Sequence, residues 1–337
     1  MDRNRNLEPK PYVLVDIPQQ SPRRAGIVTH DRFDSQRLTG QMELSFIVVS
    51  RYLFVGSGDY EIDLNIPLDR PVDRPDVWHT FYRRNGQICV PGSTIKGAIR
   101  AILEAISNSC VSQYERNRGI KSKEHQPCQF KDKESSLCPA CRLFGTTGYR
   151  GRIHFSDFLP QGGLKVEIVK IGILWEPRRP DSGKRRFYEG KTFQPAKDSR
   201  PERGYQFLEA VKENTVFSGT LSFENVSKGE LGLIFYAMGW KTNAEKVEIA
   251  FAPKIGGAKP RCFGSVRFDY PSTRLRLWGG DMNSLLVPMQ IANGKMLSFL
   301  QSCLKECQKS NLLDLKSWEV LMKGLQVKDK PCPKGVY

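Results

Sequence analysis

The stretch VPGSTIKGAIRAILEAIS, residues 90–107, decides the reading of the fold. Ile95, Ala98, Ile99, Ile102 and Ile106 recur at three- and four-residue spacing, so they share one face of an α-helix over 94–107. Ser93, behind Pro91-Gly92, is placed to cap that helix. Lys96 and Arg100 stand four apart on another face. Upstream, MELSFIVVS (42–50) turns Leu44, Phe46 and Val48 to one side, as a half-buried strand does. Downstream, GRIHFSDF (151–158) and LKVEIVKIGIL (164–174) alternate likewise, with Pro160 and Gly162-Gly163 as the turn between them. VFSGTLSF (216–223) is a further strand. Ser227 and Glu230 form a capping-box pair opening the short apolar helix LGLIFYAMGW, and SVRFDY (265–270) is a last strand. This order predicts an α+β domain with a ferredoxin-like β-α-β-β-α-β core and large insertions. Residues 1–40 read as an extended arm, 59–87 as a loop, and 281–325 as helical. In the last of these, Leu285, Leu286, Met289, Met296, Leu297 and Leu300 are candidates for a docking face.

Lys and Arg number 52 against 36 Asp and Glu, a net charge of +16. Such an excess repels itself until a polyanion relieves it, so nucleic acid is the expected partner. A membrane role fits less well. No apolar run nears the roughly 18–20 residues of a span, and no basic amphipathic helix is evident. MDRNRNLEPKPYVLV has no apolar signal core, which predicts a cytoplasmic protein. Its nine cysteines are then expected to be reduced. No G-x-x-x-x-G-K-[ST] phosphate loop is present, so nucleotide hydrolysis has no support.

Four cysteines gather around the segment 108–150. Cys138-Pro-Ala-Cys141 is a C-x-x-C, but it lacks the preceding strand and following helix of a redox site. A zinc knuckle suits it better, because two thiolates so spaced grip one ion. Cys128 lies upstream, and Cys110 lies just past the helix. The expected ligand set is Cys110, Cys128, Cys138 and Cys141, with His125 the rival for the fourth place. The segment has no apolar core of its own, so the metal supplies folding energy. Cys89, Cys262, Cys303, Cys307 and Cys332 read as small core or surface residues.

Two basic glycine sets follow. Gly145, Gly148 and Gly151 alternate with Arg142, Arg150 and Arg152; Gly256-Gly257 precedes Lys259, Arg261 and Gly264. Glycine lets backbone N–H groups approach a phosphate, and the cations supply charge. The segment RRPDSGKRRFYEGKTFQPAKDSRPER (178–203) holds nine basic and four acidic residues, with Phe187, Tyr188 and Phe193 among them. Aromatics interleaved with Arg and Lys suit base stacking beside phosphate contacts.

VGSG (55–58), VPGSTIKGAIRAIL (90–103), CPACRLFGTTGYRGRIHFSD (138–157) and GGAKPRCFGSVRF (256–268) together resemble a RAMP protein of a type III CRISPR effector complex. The resemblance is to the backbone subunit that holds guide RNA, and in particular to subtype D members. It implies an N-terminal arm (1–40), an RRM-like RAMP domain (41–274) and a C-terminal helical extension (275–337). The domain would carry a zinc insertion at about 108–150 and a thumb at about 176–206. Such thumbs wedge between nucleotides of the guide–target duplex. Lys96, Arg100, Arg150, Arg152, Lys259 and Arg261, with Lys184, Arg185, Arg186, Phe187 and Tyr188 on the thumb, would contact RNA. The implied partners are guide RNA, complementary target RNA, other RAMP subunits and the large effector subunit. Family members often cleave target RNA with a loop aspartate and magnesium, which nominates Asp69 and Asp73. Each of these, however, precedes an arginine in LDRPVDRP, as a solvated structural face does. The expectation is therefore a structural subunit. The rivals are a metal-dependent endoribonuclease and a guide-processing nuclease.

Overall fold

The computed structural model of the protein describes residues 10–65, 73–112, 124–174, 183–243, 246–279, 283, 286–292 and 294–333. The chain begins with β1 (Tyr12–Asp16), β2 (Leu38–Val48), β3 (Gly56–Ile62) and β4 (Val77–Phe81). Next come α1 (Gly92–Ile106), α2 (Pro139–Phe144), β5 (Ile153–Phe155) and β6 (Val166–Gly172). β7 (Lys184–Tyr188), β8 (Gly190–Thr192), β9 (Tyr205–Lys212) and β10 (Val216–Val226) lead to α3 (Lys228–Ala237). The chain then forms β11 (Val266–Trp278), β12 (Met289–Ile291), α4 (Gly294–Lys309), α5 (Leu315–Leu325) and β13 (Val327–Pro331). Strands predominate and helices are few, a mixed α+β architecture. No helix among the described residues is long and apolar enough to cross a membrane.

The larger sheet orders its strands β5, β10, β2, β11, β12, each antiparallel to its neighbours. α1 joins β2 to β5 and α3 joins β10 to β11, so each helix links two like-directed strands with a third between them. Alternation divides the faces. Met42, Leu44, Phe46 and Val48 of β2 are buried, and Phe217 and Phe268 stand beside Phe46 in register. α1 turns Ile95, Ala98, Ile99, Ile102 and Ile106 into the core. The other face is polar: Gln41, Glu43 and Ser45 lie between Ser218, Thr220 and Ser222 on one side and Asp269, Arg274 and Arg276 on the other.

Several expectations are corrected. α1 begins at Gly92 with Pro91 as its cap residue, and no side chain of Pro91 or Ser93 performs the capping. Asp157, just past the end of β5, does so, its Oδ1 accepting from the Gly92 N–H at 2.9 Å. LKVEIVKIGIL leaves the larger sheet; its β6 pairs with β9 in a second one, ordered β6, β9, β4, β3. Alternation marks a strand but carries no record of its partner. The stretch read as a loop over 59–87 contains the β3–β4 hairpin of that sheet. The arm is not free either. β1 pairs with β7, and the Val13 side chain packs on the backbone of α5 at Gly324. β13 runs parallel to β8, so segments from both ends of the chain clamp the region around 184–192. The C-terminal part forms α4 and α5. Met296 and Leu300 are buried there, Leu286, Met289 and Leu297 are exposed, and Leu285 lies outside the described residues.

Candidate metal centre and nucleic-acid interface

Cys110 follows the end of α1, Cys138 caps α2, Cys141 lies within α2, and Cys128 precedes both. Their sulfurs all fall within 4.8 Å of one another and all four residues are buried. Cys110 Sγ stands 3.4 Å from Cys141 Sγ and 3.6 Å from Cys138 Sγ. The Cys138 N–H donates to Cys128 Sγ at 3.3 Å. Their shared hydrogen bonds pull the Cys128 thiol below its ordinary range and push that of Cys110 above it. A buried four-sulfur cluster of this kind can hold a metal ion. His125 is not part of it. Its Nε2 lies 2.9 Å from Asn108 Oδ1, and burial followed by the charges of Arg185 and Arg24 lowers its pKa.

The surroundings balance charge. A divalent ion held by four thiolates would leave two negative charges there, and buried Glu104 adds a third. Arg100 donates to Glu104 at 2.8 Å and reaches Cys141 Sγ at 3.7 Å. Arg185 donates to Glu104 at 3.2 Å and to the Ser109 carbonyl at 2.9 Å. Burial lowers the pKa of Arg24, but its bond to Cys128 and the neighbouring thiols outweigh that and raise it. With a divalent ion bound, three guanidiniums would face three negative charges. Arg100 and Arg185, expected on RNA, are held here instead because burial demands that each charge be paired.

The other expected RNA residues are dispersed. Lys96 is half-buried, and its pKa is lowered by burial, then by Arg100 and Arg150. Arg150 is exposed. His154, exposed on β5, is lowered by burial, then by Lys96 and Arg150, so these three lie together at the polar edge of the larger sheet. Arg152 is fully buried: it donates to the Arg142 and Asn225 carbonyls and pairs with Glu230 at 2.8 Å. No face of its guanidinium remains for a phosphate, which corrects its assignment. On the thumb segment, Lys184 lies 3.9 Å from Asp16, Arg186 sits over the Tyr12 ring at 4.6 Å, and Tyr188 meets that ring edge-on. Phe187 packs on the core and Phe193 is buried between Tyr52 and Phe263. The aromatics that an exposed loop could not carry unpartnered are covered by β1 and by the core.

The VGSG run (55–58) and the second basic glycine set (256–264) meet in space. The Gly257 N–H donates to the Phe54 carbonyl at 2.8 Å, beside the VGSG run. Gly256 has φ +77° and a Cβ there would lie 2.1 Å from the Phe54 oxygen, so only glycine fits. Burial alone lowers the pKa of Lys259. Lys254, absent from the sequence expectations, is buried, donates to the Phe263 carbonyl at 2.9 Å and is pulled down to about 7, by burial and then by Lys259. Arg261 is buried and donates to the Gly172 carbonyl at 3.3 Å. Cys262 of this loop forms a disulfide with Cys332, correcting the expectation that all the thiols are reduced. Asp73 is exposed and paired with Arg200 at 2.7 Å; Asp69 lies outside the described residues.

A family model described as the RAMP superfamily matches residues 46–267, well over half of the chain. No curated protein matches it. The matched span runs from β2 to the start of β11 and takes in the four-cysteine cluster, both glycine segments and the polar sheet edge. Proteins of this superfamily bind RNA and act in multi-subunit CRISPR complexes. The chain belongs to the RAMP superfamily.

Proposed function

We propose that the protein is a guide-RNA-binding structural subunit of a type III CRISPR interference complex, of the subtype D kind, that positions guide and target RNA for antiviral defence. One observation carries the reading. Lys96, exposed Arg150 and exposed His154 gather at the polar edge of the larger sheet, close enough that Lys96 and Arg150 both act on His154. Positive charge gathered on one edge is relieved by a phosphate chain. The strand order β11, β2, β10, β5 with two crossover helices supports a ferredoxin-like, RRM-like core. The four-cysteine cluster supports structural zinc. Zn–S bonds of about 2.3 Å set tetrahedral sulfurs about 3.8 Å apart, close to the 3.4 and 3.6 Å between them here. Bound zinc would tie the end of α1 to α2 and to the strand that follows. The reading places target cleavage elsewhere in the complex: exposed Asp73 pairs with Arg200 as a solvated structural face does, while Asp69 lies outside the described residues.

The test is recovery of the full chain from its host with guide RNA and other RAMP subunits. In binding assays, log affinity for single-stranded RNA is expected to fall by about 0.7 per phosphate neutralised for each tenfold rise in salt. Lys96→Ala should flatten that slope without altering sequence preference. A salt-independent affinity would sink the reading. Loss of one specific cleavage product from an assembled Asp73→Ala complex given magnesium would make the subunit a ribonuclease instead.

A further inference from the structure

Among the described cysteines, Cys262 and Cys332 are bonded and the other seven are free. The two bonded sulfurs differ in access. Cys262 is fully buried, whereas Cys332 lines a cleft of about 290 Å³. Lys197 and Arg261 line the same cleft, and its carboxylates Asp198 and Glu202 are engaged by Lys170 at 3.0 and 3.2 Å. A small thiolate entering there meets positive charge and then Cys332. The segments on both sides of the bond depend on it. Ala258 has φ +52° and Cys262 φ +65°, left-handed values that L side chains disfavour, and they bracket the tight helical turn Lys259–Arg261. Such strain persists only where surrounding contacts impose it, and it gathers at switch segments. Across the bond, β13 buries none of its side chains, pairs with β8 through an irregular register and ends in Pro331, which has no N–H to donate. Buried Cys332 follows it, and its N–H donates to the Thr192 carbonyl at 2.8 Å.

We propose that this disulfide is a redox latch: a low-molecular-weight dithiol opens it and frees β13 and the Lys259–Arg261 turn together. One thiolate of the dithiol attacks Cys332 Sγ, the sulfur on the cleft side, and forms a mixed disulfide. The protein's own S–S bond breaks, and Cys262 leaves as a thiolate that takes up a proton. The second thiol of the reductant then displaces Cys332 and closes into a cyclic disulfide. Two electrons pass from the dithiol to the protein, and an oxidised disulfide of the same class runs the exchange backwards. With the bond open, β13 is left with its exposed pairing to β8, and the turn loses the tie that imposes the left-handed backbone at Cys262. The consequence for RNA rests on the RNA-binding reading above: Lys259 is held in place for a phosphate in the latched form and released in the open one.

The experiment compares the full chain oxidised and after dithiothreitol, without denaturant, by alkylation mapping, hydrogen exchange and single-stranded RNA affinity. Alkylation should label Cys262 and Cys332 after the dithiol and neither before it, while buried Cys303 and Cys307 stay unlabelled throughout. Amide exchange should quicken several-fold in Val327–Pro331 and in 258–262, and stay unchanged in β2 and β10. RNA affinity should fall about fivefold on reduction. The wild-type comparison uses one polypeptide and needs no variant to fold. The paired variant Cys262→Ser with Cys332→Ser should exchange as reduced wild type does, and the dithiol should change it no further, which separates the latch from any effect on the four-cysteine cluster. A bond that yields only in denaturant, or one that opens with exchange unchanged, overturns the latch. So does a dithiol response that persists in the paired variant. No RNA binding in either state overturns the RNA-binding reading and leaves the latch to be decided by exchange. Unchanged RNA affinity with quickened exchange overturns the link to RNA alone.

Discussion

Glu230 is one carboxylate serving three guanidiniums. Arg37 pairs with it at 3.2 Å, Arg142 at 2.5 Å and Arg152 at 2.8 Å, while it also accepts from the Ser227 N–H as the capping-box partner. Burial alone would raise its pKa, but Arg152 and Arg142 prevail and bring it down to about 2. The folded value lies below the unfolded one, so the stabilisation is fully present above about 4.5 and is lost as pH falls toward 2. Glu230→Gln strands buried Arg152 and should cost about 3–5 kcal/mol at pH 7. Urea unfolding at pH 7 and pH 3 checks this, and the gap between wild type and variant should narrow at the lower pH. An equal gap at both would mean that Glu230 is not the titrating group. The capping box was visible as Ser227 and Glu230 three residues apart, but nothing local says that Arg37, Arg142 and Arg152 converge on the same carboxylate.

At the scale of elements, α1 depends on close approach to β5. A Cβ on Gly92 would sit 2.0 Å from the Phe155 carbonyl oxygen, whereas one on Gly97 would meet nothing within 4 Å. Gly92→Ala should therefore cost about 1–3 kcal/mol or more by pushing helix from strand. Gly97→Ala should stabilise by up to about 1 kcal/mol by restricting the unfolded chain. Thermal melts of the pair decide the matter, and an equal effect of the two would sink the argument. α2 has only six residues, too few to persist on its own. Its anchor is the sulfur cluster, so Cys138→Ser or a strong chelator, by removing the proposed zinc, should open the segment to proteolysis. Elemental analysis finding about one zinc per chain in wild type and little in the variant is the expected result. Zinc retained in Cys110→Ser but lost in His125→Ala would contradict the four-sulfur set.

Across the whole molecule, the ends of the chain close around the middle. β1 lies on β7 and β13 on β8, and the Cys262–Cys332 disulfide ties the last described residues to the glycine loop across 70 positions. Cutting that link should cost about 2–4 kcal/mol through the regained freedom of the unfolded chain. Cys332→Ser is expected to lower the melting temperature and to speed amide exchange in Val327–Pro331, measured by hydrogen exchange. Exchange unchanged from wild type would mean that the pairing with β8 holds the strand without the disulfide.

What the sequence determined by itself was local. Helical spacing located α1, alternation located β2 and β10, and the C-x-x-C with its neighbours named four sulfurs that the fold brings within 4.8 Å. These signals need only the period of a helix or strand, or the reach of a tetrahedral ion. Which basic residues meet solvent was decided by tertiary structure. Arg150 and Arg152 are two apart in a glycine-rich run, yet one is exposed and the other is fully buried against Glu230. The partner of β6, the pairing of β1 with β7 and the meeting of the VGSG run with the 256–264 loop were decided there too. The reason is physical: strand pairing and charge compensation act between residues distant in sequence, and periodicity fixes which way a side chain points but not what it meets.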